Sequence, residues 1–300
     1  MKVLNFGSMN LDYVYQVPHF VQPGETLSSR SQVVNPGGKG LNQSIALARA
    51  GARTYHAGCL GVGGEGLKTL LEENGVDTSL LRPVDELQGN AVIQVAPSGE
   101  NCILLFGGSN QCVTPAQIDA TLVSFAPGDY LVLQNEMNEL PRLVDLAFER
   151  GLRIVLNPSP YDEKLKAVDF GKLSWLLVNE VEAAQLSGSE DPEKAWELLH
   201  ARYGALSVLI TLGGAGSVAY RVVNGVVETA RQEAFSVQAV DTTAAGDTYT
   251  GYFIGGLMEG LPLPECMRRA GMASAISVTR PGAAPSIPAR AEVEAALAGK

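Results

Sequence analysis

The 300-residue chain is 46% apolar and carries a formal charge of −10. Its length admits one large α/β domain or two small ones, with a sizeable core. Its acidity speaks against nucleic acid as a partner, because phosphate contacts need clustered Lys and Arg. No apolar run reaches the ~18 residues of a membrane span, and the opening "MKVLNFGSMNLD" lacks the basic, apolar, small order of a secretory leader. Cys59, Cys102, Cys112 and Cys266 are scattered, and His19, His56 and His200 share no metal-ligand spacing. Both observations fit a reduced, cytoplasmic protein.

In chain order, "VLNFGS" is a short apolar run that predicts a first strand. "LDYVYQVPHF" and "ETLSSRSQVVNP" read as paired strands. "GLNQSIALARAGA" places Leu41, Ile45 and Ala48 at helical spacing. "GNAVIQVAPSGENCILLFGG" reads as a hairpin around "PSGE". From there strands and helices alternate: "YLVLQN", helical "ELPRLVDLAFERG", "RIVLNPSP", "WLLVNE", helical "DPEKAWELLHARYGA", "SVLITLGGAG", and a closing helix in "ARAEVEAALAGK". Such alternation predicts a mostly parallel sheet covered on both faces. The four early strands carry no helices of their own. They predict a small sheet standing off the main domain, at about residues 12–35 and 88–108 of a single domain spanning 1–300; a hairpin on the main sheet's edge is the other reading.

Ligands of open α/β sheets bind beyond the carboxyl ends of the strands, and three stretches there carry chemistry. In "GSMNLD", Asn10 and Asp12 are two residues apart and can point the same way from an extended segment, an amide and a carboxylate suited to vicinal hydroxyls; a loop and a cap would look the same. In "NPGGKGLNQS", two glycines and Lys39 open a helix, with Asn42 three residues on. This is neither a Walker phosphate loop nor a dinucleotide fingerprint. In "DTTAAGDTYTG", Asp241 and Asp247 are separated only by small residues. The N–H groups of Ala245, Gly246 and Asp247 are expected as unpaired donors at a helix N-terminus, an anion site. A carboxylate beside a bound anion makes sense as a base taking the proton of an attacking hydroxyl, the alternative being a plain helix cap.

Together and in this order, the three stretches resemble the ribokinase family of carbohydrate kinases, and "LNPSP", "NEVEAAQLSG", "LITLGGAG" and "VTRPGAAPSIP" extend the likeness over essentially the whole chain. The resemblance implies a three-layer αβα sandwich with a mostly parallel central sheet and a small β-sheet lid. It implies ATP-dependent phosphorylation of a primary sugar hydroxyl, D-ribose being the leading substrate. Asp247 would be the base, with the N–H groups of Ala244, Ala245, Gly246 and Asp247 as the anion hole. Asn10, Asp12, Gly38, Lys39, Asn42 and Glu136 would hold the sugar. Asn179 and Glu182 would organise Mg²⁺ through water, and Asn179, Thr211, Leu212, Gly213, Gly214, Gly216, Gly246 and Gly271 would lie along ATP. Asp241, Thr243, Ser277, Arg280, Gly282 and Ser286 would hold a monovalent cation, K⁺. A homodimer through the lid strands is implied as well.

The chain departs from the family pattern at Leu41, where Ala is common, at Pro281, and in "LLFGGSNQCVTP". Gly271 leaves the adenine side sparsely furnished. The proposed pocket sets Asp12, Glu136 and Asp247 against Lys39 alone, with Arg30 the one further lid cation. That favours a neutral sugar over a phosphosugar, which would need paired Lys or Arg contacts. Tyr13 and Tyr15 keep a nucleoside kinase open. An inactive sugar-binding regulator is the reading from another class, and the intact base and anion hole argue against it.

Overall fold

The computed structural model describes residues 1–299. The chain opens with β1 (Val3–Phe6), β2 (Asn10–Gln16), β3 (Ser31–Gly37), α1 (Lys39–Arg49), β4 (Thr54–Val62), α2 (Glu65–Glu73), β5 (Asp77–Leu87), β6 (Asn90–Val95) and β7 (Asn101–Phe106). It continues with α3 (Pro115–Leu122), β8 (Tyr130–Gln134), α4 (Leu140–Glu149), β9 (Arg153–Asn157), β10 (Trp175–Asn179), α5 (Glu180–Ser187), α6 (Pro192–Tyr203) and β11 (Ser207–Thr211). β12 (Ser217–Val223), β13 (Val226–Gln232), α7 (Ala245–Met258), α8 (Leu263–Ser277) and α9 (Arg290–Ala298) complete it. The expected closing helix is α9, and its anticipated last residue, Lys300, lies outside the described residues.

A nine-stranded sheet runs β13-β12-β11-β10-β9-β8-β1-β4-β5, parallel from β5 across to β11. Its central strands are near-continuous apolar runs because both faces are covered. Leu4, Phe6, Leu131, Leu133 and Ile154 face one layer, built from α3 to α6; Val3, Val132, Val155, Leu177 and Leu209 face the other, built from α1, α7, α8 and α9. The antiparallel pair β12–β13 and the long edge strand β5 extend the sheet beyond what the sequence pattern predicted. The four early strands pair among themselves, in the order β3-β2-β6-β7, and not with the large sheet. Val33, Ile103, Leu104 and Phe106 leave part of that small sheet apolar and exposed.

Parallel strands deliver all their carboxyl ends to one edge, so Gly7, Gln134, Asn157, Asn179 and Thr211 arrive together there. α7 is fixed against the sheet and α1 by three contacts. Phe253 meets Trp175 of β10 edge-on at 5.0 Å, a geometry that adds ~0.5–1.5 kcal/mol to the area it buries. Tyr249 and Ser217 share a 2.7 Å hydrogen bond. Gly251 lets α7 lie directly against α1, for a Cβ there would stand 2.4 Å from Ala46 Cβ and 2.7 Å from its backbone.

Gly251→Ala is therefore expected to destabilise the fold by about 1–3 kcal/mol through overpacking, despite the ~1 kcal/mol that alanine gains in a helix. Gly66→Ala on α2, where a Cβ meets open space, should be neutral or stabilising. Urea unfolding of both variants checks this; equal midpoints would mean that the α1–α7 approach is not tight.

Candidate active site

β1 is followed by Gly7 and Ser8, and α1 begins directly against them: a Cβ on Gly40 would lie 2.4 Å from Ser8 N. The polar residues of both segments meet at this junction. Ser8 Oγ donates to Glu136 just past β8, and the same carboxylate accepts Lys39 N–H at 3.1 Å. Asn10 Oδ1 accepts from Asn110 Nδ2 at 2.7 Å, which leaves the Asn10 amide N–H₂ as a donor. Asp12 on β2 lies beside Gly37, where a Cβ would come within 2.0 Å of its carboxylate. Gly38, at φ +93°, is in the left-handed region, and a Cβ would also meet Asn10 N at 2.9 Å; glycine alone fits there.

Asp247 is the third residue of α7 and is 8% exposed. Asn42 Nδ2 donates to its Oδ2 at 3.1 Å and Gln43 Nε2 to its Oδ1 at 2.9 Å. Asn42 Oδ1 is buried without a partner, an acceptor that a ligand hydroxyl would satisfy. On the other side of Asp247 a cleft of about 220 Å³ is lined by Lys39, Asn179, Glu182, Thr211, Ala244, Gly246 and Asp247. Lys39 and Asp247 thus stand between two polar groups, one holding Asn10, Asp12, Asn42 and Glu136, the other built from strand ends and the start of α7.

The start of α7 differs from expectation in one respect. Ala244 is left-handed, at φ +59°, and the N–H of Ala245 bonds to Thr242 O at 3.2 Å. Ala245 is therefore not a free donor. Gly246 and Asp247, in the first turn where no helical carbonyl is available, remain as the N–H pair facing the cleft.

Charge concentrates here. Burial and then the charge of Glu136 push Asp12 up to about 7. Burial also raises Glu136, with Lys39 and Ser8 opposing it. Burial works against the Lys39 charge, but Asp247, Glu136 and Glu182 outweigh it and hold the ammonium above the ordinary lysine value.

The remaining expected residues sort by geometry. Asn179 Oδ1 accepts Glu182 N–H at 2.8 Å and a Glu182 oxygen accepts Asn179 N–H at 3.1 Å, a capping box on α5. One Glu182 oxygen is left toward the cleft, a donor set that fits a hydrated Mg²⁺ better than direct ligation. Among the described residues no three His, Cys, Asp or Glu converge as a metal cage. Asp241 accepts from Thr243 N and Oγ1 (2.9 and 2.6 Å) and from Gly282 N (2.8 Å). Partial burial works against its charge, but these bonds outweigh it and keep the carboxyl below the usual range. The hydroxyls of Ser277 and Ser286 bond to Ser274 O and Ala283 O, and the Arg280 guanidinium to Glu292. Asp241 and backbone carbonyls are what this clasp can offer a cation, which fits a monovalent ion. Leu212, Gly213, Gly214 and Gly216 lie outside the cleft lining. Gly271 also lies outside it, and a Cβ there would stand 3.5 Å from Gln232 and Phe235. Leu41 is fully buried among Met9, Ile45 and Leu67, so its side chain is turned away from the polar groups.

Gln43, Ser8, Asn110, Asn157, Ser159 and Thr242 also belong to the site, and the sequence reading passed over them. Gln43 had a signal, its place beside Asn42 on the first turns of α1. Asn110 had none, since only tertiary contact brings it to Asn10, 100 residues away.

The pattern of the pfkB family of carbohydrate kinases matches residues 1–290. A ribokinase of Haemophilus influenzae is 37% identical over 305 aligned positions, covering 95% of each chain. The structure of a Thermotoga maritima ribokinase superposes with a TM-score of 0.88 at 34% identity, covering 99% of both chains. That of an Arabidopsis thaliana ribokinase complexed with ribose and ATP gives 0.85 at 27% identity, over 99% of this chain and 98% of that one.

The raised Asp12 makes a stability prediction. Between the ordinary aspartate value, ~4, and about 7, the folded ligand-free chain holds a proton that the unfolded chain has released. Stability therefore falls as pH rises through that window and levels off above it. Asp12→Asn removes the term: the variant should be more stable than the parent at pH 8, with the gap closing near pH 4. Urea unfolding at several pH values decides; a gap that does not change with pH would mean that Asp12 ionises normally.

Proposed function

The chain belongs to the pfkB family of carbohydrate kinases, and from that premise we propose that it is a ribokinase, transferring the γ-phosphoryl group of ATP to the primary hydroxyl of D-ribose to give D-ribose 5-phosphate and ADP. The observation that carries the mechanism is Asp247, gripped by Asn42 and Gln43 at the N-terminus of α7 and open to the cleft. Its carboxylate takes the O5 proton as O5 bonds to the γ-phosphorus and the bond to the β,γ-bridging oxygen breaks. The N–H groups of Gly246 and Asp247, with the helix dipole behind them, stabilise charge on the transferring oxygens. Lys39 adds a full positive charge at the junction of the two polar groups.

The sugar is held by groups whose hydrogen-bonding capacity is still open: the Asn10 amide N–H₂, the orphan Asn42 Oδ1, and the carboxylates of Asp12 and Glu136, with Gly38 leaving room for it. A neutral sugar suits this set, because Lys39 is its single cation and Arg30 lies exposed on the lid. The ATP chain follows Thr211 to Gly216 toward Gly271. Mg²⁺ bound with the nucleotide would neutralise phosphate charge, and Asn179 and Glu182 would hold its water shell. Asp241 with carbonyls of Thr243, Ser277, Arg280, Gly282 and Ser286 would hold K⁺ beside the loop that feeds α7. The small sheet acts as a lid over the sugar, and its exposed apolar strands suit pairing with a second copy. Free cysteines at all four positions accord with a cytoplasmic setting.

The test is ATP-dependent phosphorylation over a panel of pentoses, hexoses and nucleosides. D-ribose is expected to have the highest kcat/KM, and a preferred hexose or nucleoside would replace it as substrate. Asp247→Asn should lower turnover by ~100-fold or more while sugar affinity by calorimetry stays within a few-fold; near-parental turnover would remove Asp247 from the mechanism. At constant ionic strength, K⁺ should activate over Na⁺, an effect largely lost in Asp241→Ala. Equal rates in K⁺, Na⁺ and a bulky organic cation would assign Asp241 to the loop alone.

A further inference from the structure

Beneath the Asp247 carboxylate lies a row of polar side chains with no exposed surface: Gln43, Gln134, Asn5, Ser44 and His56. They lie on three adjacent strands and α1, in the heart of an otherwise apolar sheet. None of them lines the cleft. We propose that this row is a positioning relay, which fixes the direction of the Gln43 amide and so holds the Asp247 carboxylate in its productive orientation. The proposal rests on Asp247 being the base.

The relay's sense follows from one fixed point. A backbone carbonyl can only accept, so the Asn5 group 2.7 Å from Gly40 O is its N–H₂. The same nitrogen lies 2.8 Å from Ser44 Oγ. Ser44 Oγ accepts there and shares a further 2.7 Å hydrogen bond with His56 Nδ1, and burial pushes that imidazole down to about 4, so it is neutral. With both N–H bonds directed this way, Asn5 Oδ1 must face Gln134, and Gln134 answers with Nε2 at 2.9 Å. The second proton of that nitrogen goes to Gln43 Oε1 at 2.7 Å. Gln43 is left with its N–H₂ toward Asp247 Oδ1, at 2.9 Å. Rotating any one amide by half a turn would set oxygen against oxygen at its neighbour. The direction is thus transmitted from the Gly40 carbonyl to the base.

A packing role accounts poorly for the row. Gln134 Oε1 is buried without a partner, pressed against Gly7, where a Cβ would lie 2.6 Å away. An apolar side chain of similar size would remove that unpaired oxygen. What it could not do is donate to Gln43 and Asn5 at once. Asn42 grips the other carboxylate oxygen, so without the relay Asp247 would be held at one oxygen only and free to swing about it.

The test uses Gln43→Met and Gln134→Met, the double variant, and Asp247→Asn. Gln134 touches neither Asp247 nor the cleft, yet each single variant is expected to lose about 10-fold in kcat with KM for sugar and ATP within about twofold. The double should lose no more than the worse single, because both act through one chain of bonds. A folded Gln134→Met enzyme with parental kcat, or losses that multiply, overturns the relay. If Asp247→Asn is itself near-parental, it is the assignment of the base that fails instead. Side-chain amide resonances in the otherwise native chain give a second reading that does not depend on the Met variants folding. Asp247→Asn should shift both the Gln43 and the Gln134 amide signals; a Gln134 signal that does not move overturns the proposal.

Discussion

The site depends on two helices reaching the same edge of the sheet with their N-termini side by side. α1 and α7 can do so because Gly251 removes the side chain that would separate them, and because Phe253 and Tyr249 tie α7 to β10 and β12. Their juxtaposition brings Asn42 and Gln43 of one helix onto Asp247 of the other, across more than 200 residues of chain. A shift of α7 by even ~1 Å would break both amide contacts while leaving each helix intact, which is the scale on which catalytic geometry is lost.

The second organising feature is an excess of negative charge in a half-buried site. Glu136, Glu182 and Asp247 act on the ammonium of Lys39, and Asp12 lies within reach of the Glu136 charge. The structure copes in three ways. Glu136 is given hydrogen-bond donors by Ser8 and the Lys39 backbone. Asp12 retains a proton to about 7. Lys39 is kept charged by its neighbours although burial opposes it. Each device leaves the ligand-free site short of its best stability, and a ligand that supplies hydroxyl donors would relieve the same carboxylates. Selectivity for polyhydroxylated molecules follows from that imbalance: a site built from acceptors discriminates strongly against a ligand without donors.

Much of this was legible in the sequence because it is local. The glycine-lysine opening of α1, the Asn10–Asp12 pair and the small residues before Asp247 each act within a few residues of one another, and strand-helix alternation set the parallel sheet. What escaped is long-range. The exception is the antiparallel β12–β13 pair, which escaped although its two-residue turn, Asn224-Gly225 with both residues at positive φ, is a strong local hairpin signal. Gln134 reads as the polar end of a strand, and nothing in "YLVLQN" says that its amide meets Gln43, 91 residues away. The misjudged Ala245 N–H has a local cause, since the left-handed Ala244 closes a turn onto Thr242 that helix rules alone do not foresee.

That left-handed alanine links the loop's chemistry to its construction. A non-glycine residue at positive φ costs roughly 1–2 kcal/mol and persists only where the surroundings over-determine it. Here they do. Val278 O accepts the N–H groups of both Val240 and Asp241, at 2.7 and 3.1 Å. Asp241 in turn holds Thr243 through two bonds and Gly282 through a third. The strain at Ala244 turns the chain so that the next donors belong to Gly246 and Asp247, and the clasp keeps them turned when no ligand is present. Donors already in position require no reorganisation when charge develops in front of them. A cation bound at Asp241 would thus reinforce a loop that the protein already holds, so its effect should be a graded gain in rate rather than an absolute requirement.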